Sequence, residues 1–174
     1  MPQLKKPIAF VISLLGISLL STANISFASE RRPTPNDVVV VQVPPVDQRE
    51  LKCLADNIYY ESRGESQNGK IAVAGVTLNR VSSDKFPKNI CSVVYQRTRS
   101  TCQFSWTCSR KRKPNPAAYE ESFKIAEKVL TEEIDHSNII GDNVMWYHAD
   151  YVNPRWYNLR RVTKIGRHIF YRQK

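Results

Sequence analysis

Histidine is scarce in this 174-residue chain, with three in all. His136, His148 and His168 form no metal-binding constellation with neighbouring acids, which argues against a metal-dependent nuclease. The four cysteines, Cys53, Cys91, Cys102 and Cys108, include no C-x₂-C pair, so a zinc site ranks well below disulfides. Beyond the first 28 residues no run is apolar enough to cross a membrane. No segment repeats and no second module is visible. Acids are missing from the end of the chain: after Asp150 there is neither Asp nor Glu, while Arg155, Arg160, Arg161, Lys164, Arg167, Arg172 and Lys174 are all basic.

What is present begins with a leader. Lys5 and Lys6 form a positive start, Ile8 to Leu20 an apolar core, and Ser26-Phe27-Ala28 a small-x-small cleavage site. Residues 1–28 are therefore expected to be a signal peptide cut after Ala28, with an uncleaved anchor as the alternative. Export, to the periplasm or the outside, suits an even number of cysteines, all in the mature part, paired as two disulfides. Four cysteines allow three connectivities. Cys102–Cys108 as a local loop staple is favoured, leaving Cys53–Cys91 to tie the first helix to a later one.

Residues 29–46 read as a proline-containing tether, in which Val38 to Val43 could make a strand that Pro44-Pro45 ends. Residues 47–174 are long enough for one domain with its own core. The net charge is +10 for the whole chain. Lys5 and Lys6 leave with the leader, so the mature chain is +8. The excess lies in the tail and in Arg110-Lys111-Arg112-Lys113. Such surfaces attract polyanions. For an exported chain the partner is cell wall, acidic glycan or anionic membrane lipid in preference to nucleic acid. A secreted nuclease is the rival, and a merely solvated surface is the bland reading for any single Lys or Arg. Nothing in the sequence calls for a metal or cofactor, and nothing sets an oligomeric state.

Helix signals dominate the first two thirds. A helix is expected from about Gln48 to Arg63, stopping near Gly64, with Ser66 capping the next. Lys70 to Val81 has apolar groups on nearly every side, and its Ala-Gly content and length favour a central helix over a strand. Asn89 to Tyr95 could form a short third helix, and Arg97 to Lys113 an ordered loop. Asn115-Pro116 is a cap followed by a first-turn proline. The helix it opens carries Tyr119, Phe123, Ala126, Val129 and Leu130 on one face, with Glu120, Glu121, Lys124, Glu127 and Lys128 solvated. Val144 to His148 and Val162 to Tyr171 are rich in strand formers, and Gly166 signals a hairpin or bulge. Helices first and a small sheet last make an α+β domain.

Two features carry chemistry. Leu51, Leu54, Ala55 and Ile58 make an apolar helical face, and at about 100° per residue Glu61 and Glu65 project near it. Geometry alone places Glu65 nearer the centre, but Gly64 is expected to end the helix before it. An acid on an apolar face has a raised pKa and can serve as a general acid near neutrality. The second feature is Cys102-Gln103-Phe104-Ser105-Trp106-Thr107-Cys108. Its aromatics and amides could form a wall of a sugar cleft or a plug over the core, and the residues weigh equally for both.

Four blocks in order resemble a known family. Ile58-Tyr59-Tyr60-Glu61-Ser62-Arg63-Gly64-Glu65 is similar to the Tyr-x-Glu-Ala-Arg-Gly-Glu motif of the cell wall hydrolases related to the spore cortex-lytic enzymes (SleB/CwlJ type), with Ser62 for the commoner Ala. Gly69 to Val76 with Leu78-Asn79-Arg80-Val81 resembles the next helix of that family. Phe86-Pro87 through Val93-Val94-Tyr95 resembles its third block, and Lys164-Ile165-Gly166-Arg167-His168-Ile169-Phe170 its closing Ile-Gly-x-His-x-Phe. The Cys102 to Cys108 loop and Trp146-Tyr147-His148-Ala149-Asp150 depart from the spore enzymes.

The resemblance implies a mainly helical, lysozyme-like catalytic domain with a small C-terminal antiparallel sheet, acting on peptidoglycan without a cofactor. It implies a lytic transglycosylase reaction with Glu61 as acid and then base, while Arg63 and Glu65 organise the turn. Tyr60 is expected to position sugar. Gln103, Phe104, Trp106, Tyr147, His148 and Trp156 are expected to line the cleft. His148 is more readily a hydrogen-bonded structural residue than a general base, His168 a holder of the hairpin and His136 a surface-loop residue. A muramidase using a second carboxylate and a non-catalytic wall-binding module are the alternatives. Glu61 argues against the latter, since a pure binder gains nothing from an acid on an apolar face.

Overall fold

The computed structural model describes residues 45–110 and 112–174. The expected signal peptide, the tether up to residue 44 and its Val38–Val43 strand lie outside the described residues. Among the described residues five helices are followed by three strands: α1 Gln48–Ser62, α2 Gln67–Ser82, α3 Ile90–Val94, α4 Pro116–Leu130, α5 Ser137–Ile140, β1 Val144–Ala149, β2 Leu159–Ile165 and β3 His168–Gln173. A single 3₁₀ turn, Ser105–Cys108, interrupts the long α3–α4 connection. The α+β order expected from the sequence is what the chain adopts.

Side-chain caps explain where the helices begin. Asp47 accepts from the Arg49 and Glu50 amides, Ser66 from Gly69, Asn89 from Ser92 and Asn115 from Ala118, with Pro116 in the first turn of α4. Each cap satisfies an amide that the helix cannot, worth about 1 kcal/mol. α2 is the hub, buried on nearly every side from Gly69 to Thr77. Its Gly75 is a point of close approach. A Cβ there would meet His136 Cδ2 at 2.8 Å and Ile140 Cδ1 at 2.9 Å, so the missing side chain admits α5.

His136 is thus no surface-loop residue. It packs on Gly75, and its Nε2 is 3.1 Å from Asn79 Oδ1. The face of α4 is also rotated from the one the apolar pattern suggests. Ser122, Ile125, Ala126 and Val129 are buried, whereas Tyr119, Phe123 and Leu130 are half-buried. Glu121 is not simply solvated, because its Oε2 lies 2.7 Å from the ammonium of buried Lys70. A buried ammonium needs a partner, and α4 supplies it.

The disulfides are Cys53–Cys91 and Cys102–Cys108. The first ties α1 to α3, whose N-terminal amides at Ile90 and Cys91 also donate to Glu50 Oε2. The second closes the loop around the 3₁₀ turn. The sheet order is β1-β3-β2, all antiparallel, with Tyr147 opposite Phe170 and Ile165 opposite His168. β2 and β3 join through Gly166-Arg167. Gly166 has φ +55°, the left-handed conformation that a two-residue II′ hairpin needs at its first turn position. Phe170 and Val144 are fully buried and carry the inner face of the sheet onto Ala72 and Val76 of α2.

Candidate active site

Glu61 occupies the last turn of α1, one residue before the helix ends at Ser62. Ile58, one turn earlier, is wholly buried, and Glu61 itself is half-buried. Burial raises its pKa above the ordinary 4.5, because the carboxylate loses water that the neutral acid needs less. Two neighbours oppose the rise. The Tyr147 hydroxyl donates to Glu61 Oε2 at 3.1 Å, and the charge of Arg80 acts through space. Burial of the Tyr147 hydroxyl, reinforced by the Glu61 charge, drives its own pKa well above 10, so it remains a donor.

Arg80 is the residue that sequence reasoning missed. It is 3% exposed, and burial lowers its pKa to about 10 while Tyr147 and Glu61 hold it up. Its Nε donates to the Met145 carbonyl at 2.8 Å, which fixes the start of β1 against α2. The guanidinium lies over the rings of Phe86 and Phe104, 5.3 and 5.4 Å from their centroids. With its amide oriented to satisfy both polar atoms, Gln103 accepts from Arg80 Nη1 at 3.1 Å and Nη2 at 3.3 Å. The available signal is that Arg80 is the lone charged residue between Ile71 and Val81.

The expected cleft residues separate into three groups. Tyr147 meets Glu61 directly, and Gln103 and Phe104 reach the site through Arg80. Phe104 and Trp106 are buried, so the disulfide-closed loop does plug the core. Trp106 Nε1 donates to Asn57 Oδ1 at 3.1 Å, and the amide of Asn57 donates to Thr77 Oγ1 at 3.1 Å, linking loop, α1 and α2. Tyr60 stacks on Trp106 at 4.6 Å and borders a neighbouring groove.

His148 and Trp156 correct the expectation. Alternate strand residues point to opposite faces, and Tyr147 faces inward towards Phe170 and His168. His148 therefore faces outward, stacked on Tyr171 and edge-on to Trp156, with its nitrogens near Tyr171 Oη (2.9 Å) and the Ala149 carbonyl (2.8 Å). The structure does not bring this pair to Glu61.

Glu65 stands beyond the end of the helix. Its Oε2 accepts from the Arg167 amide at 3.2 Å, and a Cβ on Gly166 would lie 1.7 Å from the same oxygen. Glu65 thus clamps the β2–β3 hairpin to the α1–α2 turn, and Gly166 is required for that approach. His168 Nδ1 is 4.0 Å from Glu65 Oε1, and burial lowers the His168 pKa while Glu65 opposes the fall. Its ring packs edge-on against Tyr147. Arg63 caps α1, with its guanidinium 5.4 Å from the Tyr59 ring centroid. Another acid of α1, Asp56, is buried but engaged: Lys52 reaches one oxygen at 2.9 Å and Tyr119 the other at 2.8 Å. Among the described residues no group of three or more His, Cys, Asp or Glu is placed to hold a metal ion.

A half-buried acid at a helix end, braced by a tyrosine from a small sheet and a buried arginine, is a site equipped for proton transfer. Residues 64–171 match the family model described as Cell Wall Hydrolase, and the chain belongs to that family. The match starts at Gly64, just after Glu61. The spore cortex-lytic enzyme of Bacillus cereus is 29% identical over 145 residues, covering 82% of this chain and 51% of that protein. The Bacillus subtilis spore cortex-lytic enzyme is 24% identical, over 77% of this chain and 41% of its own length. The chain thus spans about half the length of the curated relatives it matches. Among solved structures, the catalytic domain of the germination-specific lytic transglycosylase SleB from Bacillus anthracis is similar, with 28% identity and a TM-score of 0.55. That match covers 75% of this chain and 99% of the solved one. The catalytic domain of the Bacillus cereus SleB protein matches at 27% identity and a TM-score of 0.53, covering 75% and 94%.

Proposed function

We propose that this protein is an exported enzyme that cuts the glycan strand of peptidoglycan between MurNAc and GlcNAc, as a lytic transglycosylase with Glu61 as its single acid–base group. The carrying observation is Glu61 itself: a carboxyl whose pKa burial raises, with a donor and a cation placed to meet the charge it acquires. A glycosidic oxygen is a poor leaving group until protonated, so the first requirement is a neutral acid. Glu61 gives its proton to that oxygen. Tyr147 and Arg80 then stabilise the carboxylate. The carboxylate takes the proton of the muramic C6 hydroxyl as O6 attacks C1, which closes a 1,6-anhydro ring and returns Glu61 to its starting state.

This route needs no second enzymic carboxylate, whereas hydrolysis with two carboxyls does. The state of the other acids favours it, since Asp56 is tied to Lys52 and Tyr119, and Glu65 to the hairpin amide. The similarity to spore cortex-lytic enzymes and a lytic transglycosylase supports the substrate class. Export to the periplasm or the outside rests on the leader and is supported by two disulfides.

The test is to incubate the purified protein with peptidoglycan and read the soluble products by mass spectrometry. Anhydro-muropeptides are expected. Reducing muramic ends would mean hydrolysis, and no soluble glycan a binding module. Glu61→Gln keeps the shape and loses the proton, so it should abolish product; near-normal turnover by that variant would remove Glu61 from the role.

A further inference from the structure

Beside Glu61 lies a second feature that the proton-transfer chemistry does not use. A groove of about 580 Å³ is lined by the aromatic rings of Tyr60 and Trp106 and by the cations Arg63, Arg110, Arg112 and Lys113. No carboxylate is among its described lining residues. Its rim is held in place, because the Tyr60 hydroxyl donates to the Arg112 carbonyl at 3.2 Å. Arg110, Arg112 and Lys113 are exposed, so like charges gather here without neutralising partners in the lining. Such a concentration of one sign costs self-repulsion and favours an anionic occupant.

We propose that this groove binds the carboxylate-bearing peptide stem of the glycan strand that is cut at Glu61. The proposal rests on the reading of Glu61 as a glycan-cutting acid. Position supports it: Tyr60 immediately precedes Glu61 on α1 and Arg63 follows two residues later, so groove and acid occupy adjoining sectors of one helix end. Peptide stems branch from the muramic residues of the strand, and their carboxylates suit the forked donors of arginine. The aromatic wall offers apolar contact to the alkyl parts of the stem. Nucleic acid fits less well. Single strands are held by open ring faces on which bases stack, but Trp106 is 8% exposed and Tyr60 covers its face.

Binding can be separated from cutting. The Glu61→Gln protein is mixed with labelled glycan strands carrying intact stems, and with the same strands stripped by an amidase that removes the stem. Stem-bearing strands should bind about tenfold tighter, which is what two or three surface ion pairs supply. The preference should shrink with added salt. It should fall to about one in a variant combining Arg110→Ser, Arg112→Ser and Lys113→Ser. An arm that leaves the protein untouched uses strands whose stem carboxylates have been amidated, and these should bind like stripped ones. Equal binding of stripped and stem-bearing strands overturns the proposal. So does a preference that survives the triple substitution, or displacement of the strands by a single-stranded oligonucleotide as readily as by free stem peptide. Failure of the Glu61 reading appears elsewhere, as cleavage by Glu61→Gln, and leaves the binding ratio to be judged by itself.

Discussion

Tyr147→Phe removes one oxygen and keeps the ring that packs on Phe170 and His168. The lost contact is the 3.1 Å hydrogen bond to Glu61 Oε2, which favours the ionised acid. A hydrogen bond to a charged group is worth about 1.5–3 kcal/mol, or roughly a 10- to 150-fold change in the ratio of ionised to protonated Glu61. The pKa of Glu61 must therefore rise further. Two measurements follow. If protonated Glu61 is the acid, activity in the variant should persist to higher pH than in the parent, while the absolute rate falls because the carboxylate formed in the reaction has lost its donor. Stability follows the same sign. A folded-state pKa raised above its unfolded value gives stability that is complete below the unfolded pKa and lost as pH rises through the folded one. Urea titrations should show the parent weakening as pH climbs from about 4.5 to the raised value, and Tyr147→Phe weakening further over a window that extends higher. An unmoved alkaline limb together with an unchanged stability profile would refute the assignment of Tyr147 as the donor to Glu61.

Gly166→Ala forces an L side chain into φ +55° and places its Cβ 1.7 Å from Glu65 Oε2. The conformational part alone costs about 1–2 kcal/mol, and in a denaturation cycle with Glu65→Ala the steric part should vanish while the conformational part remains. Asn79→Ala strips partners from the Gly141 and Val144 carbonyls, which it meets at 2.8 and 2.9 Å. One buried and one part-buried acceptor left short should cost about 1–3 kcal/mol in urea unfolding, and a loss below 1 kcal/mol would show that water replaces the amide. Replacing Cys53 and Cys91 by Ser opens a loop of sequence separation 38, against 6 for Cys102 and Cys108. Loop-closure entropy predicts losses of about 4 and 2 kcal/mol respectively, and thermal unfolding of the two double variants should rank them in that order.

Local signals carried the helices. Asp47, Ser66, Asn89 and Asn115 all act as caps, and two of them were readable in advance: Ser66 from its place after Gly64, and Asn115 from the proline that follows it. The unamphipathic pattern of Lys70 to Val81 correctly announced a helix surrounded on all sides. The apolar pattern of α4 points one sector away from its buried face, because the pairing of Lys70 with Glu121 and the burial of Ser122 depend on packing against the rest of the fold. His136 looked like a surface residue because nothing local reveals that Gly75, far back in the chain, opens a space for it.

The same division runs through the site. Sequence alone determined that one acid ends an apolar helical face and that a glycine follows to break the helix. It also determined that a cysteine-bounded aromatic loop and a basic cluster exist, because each of these is a matter of spacing between near neighbours. Only the tertiary structure decided which groups surround that acid. Tyr147 reaches Glu61 from 86 residues away, and the charge of Arg80 acts on both. The one-residue alternation of β1 sends Tyr147 inward and His148 outward, so two adjacent aromatic rings of similar promise part company. Glu65, nearer the centre of the apolar face on an unbroken helix, is instead bound to the hairpin amide of Arg167. Burial and long-range hydrogen bonds set the proton affinity of a carboxyl, and neither exists until the chain has folded.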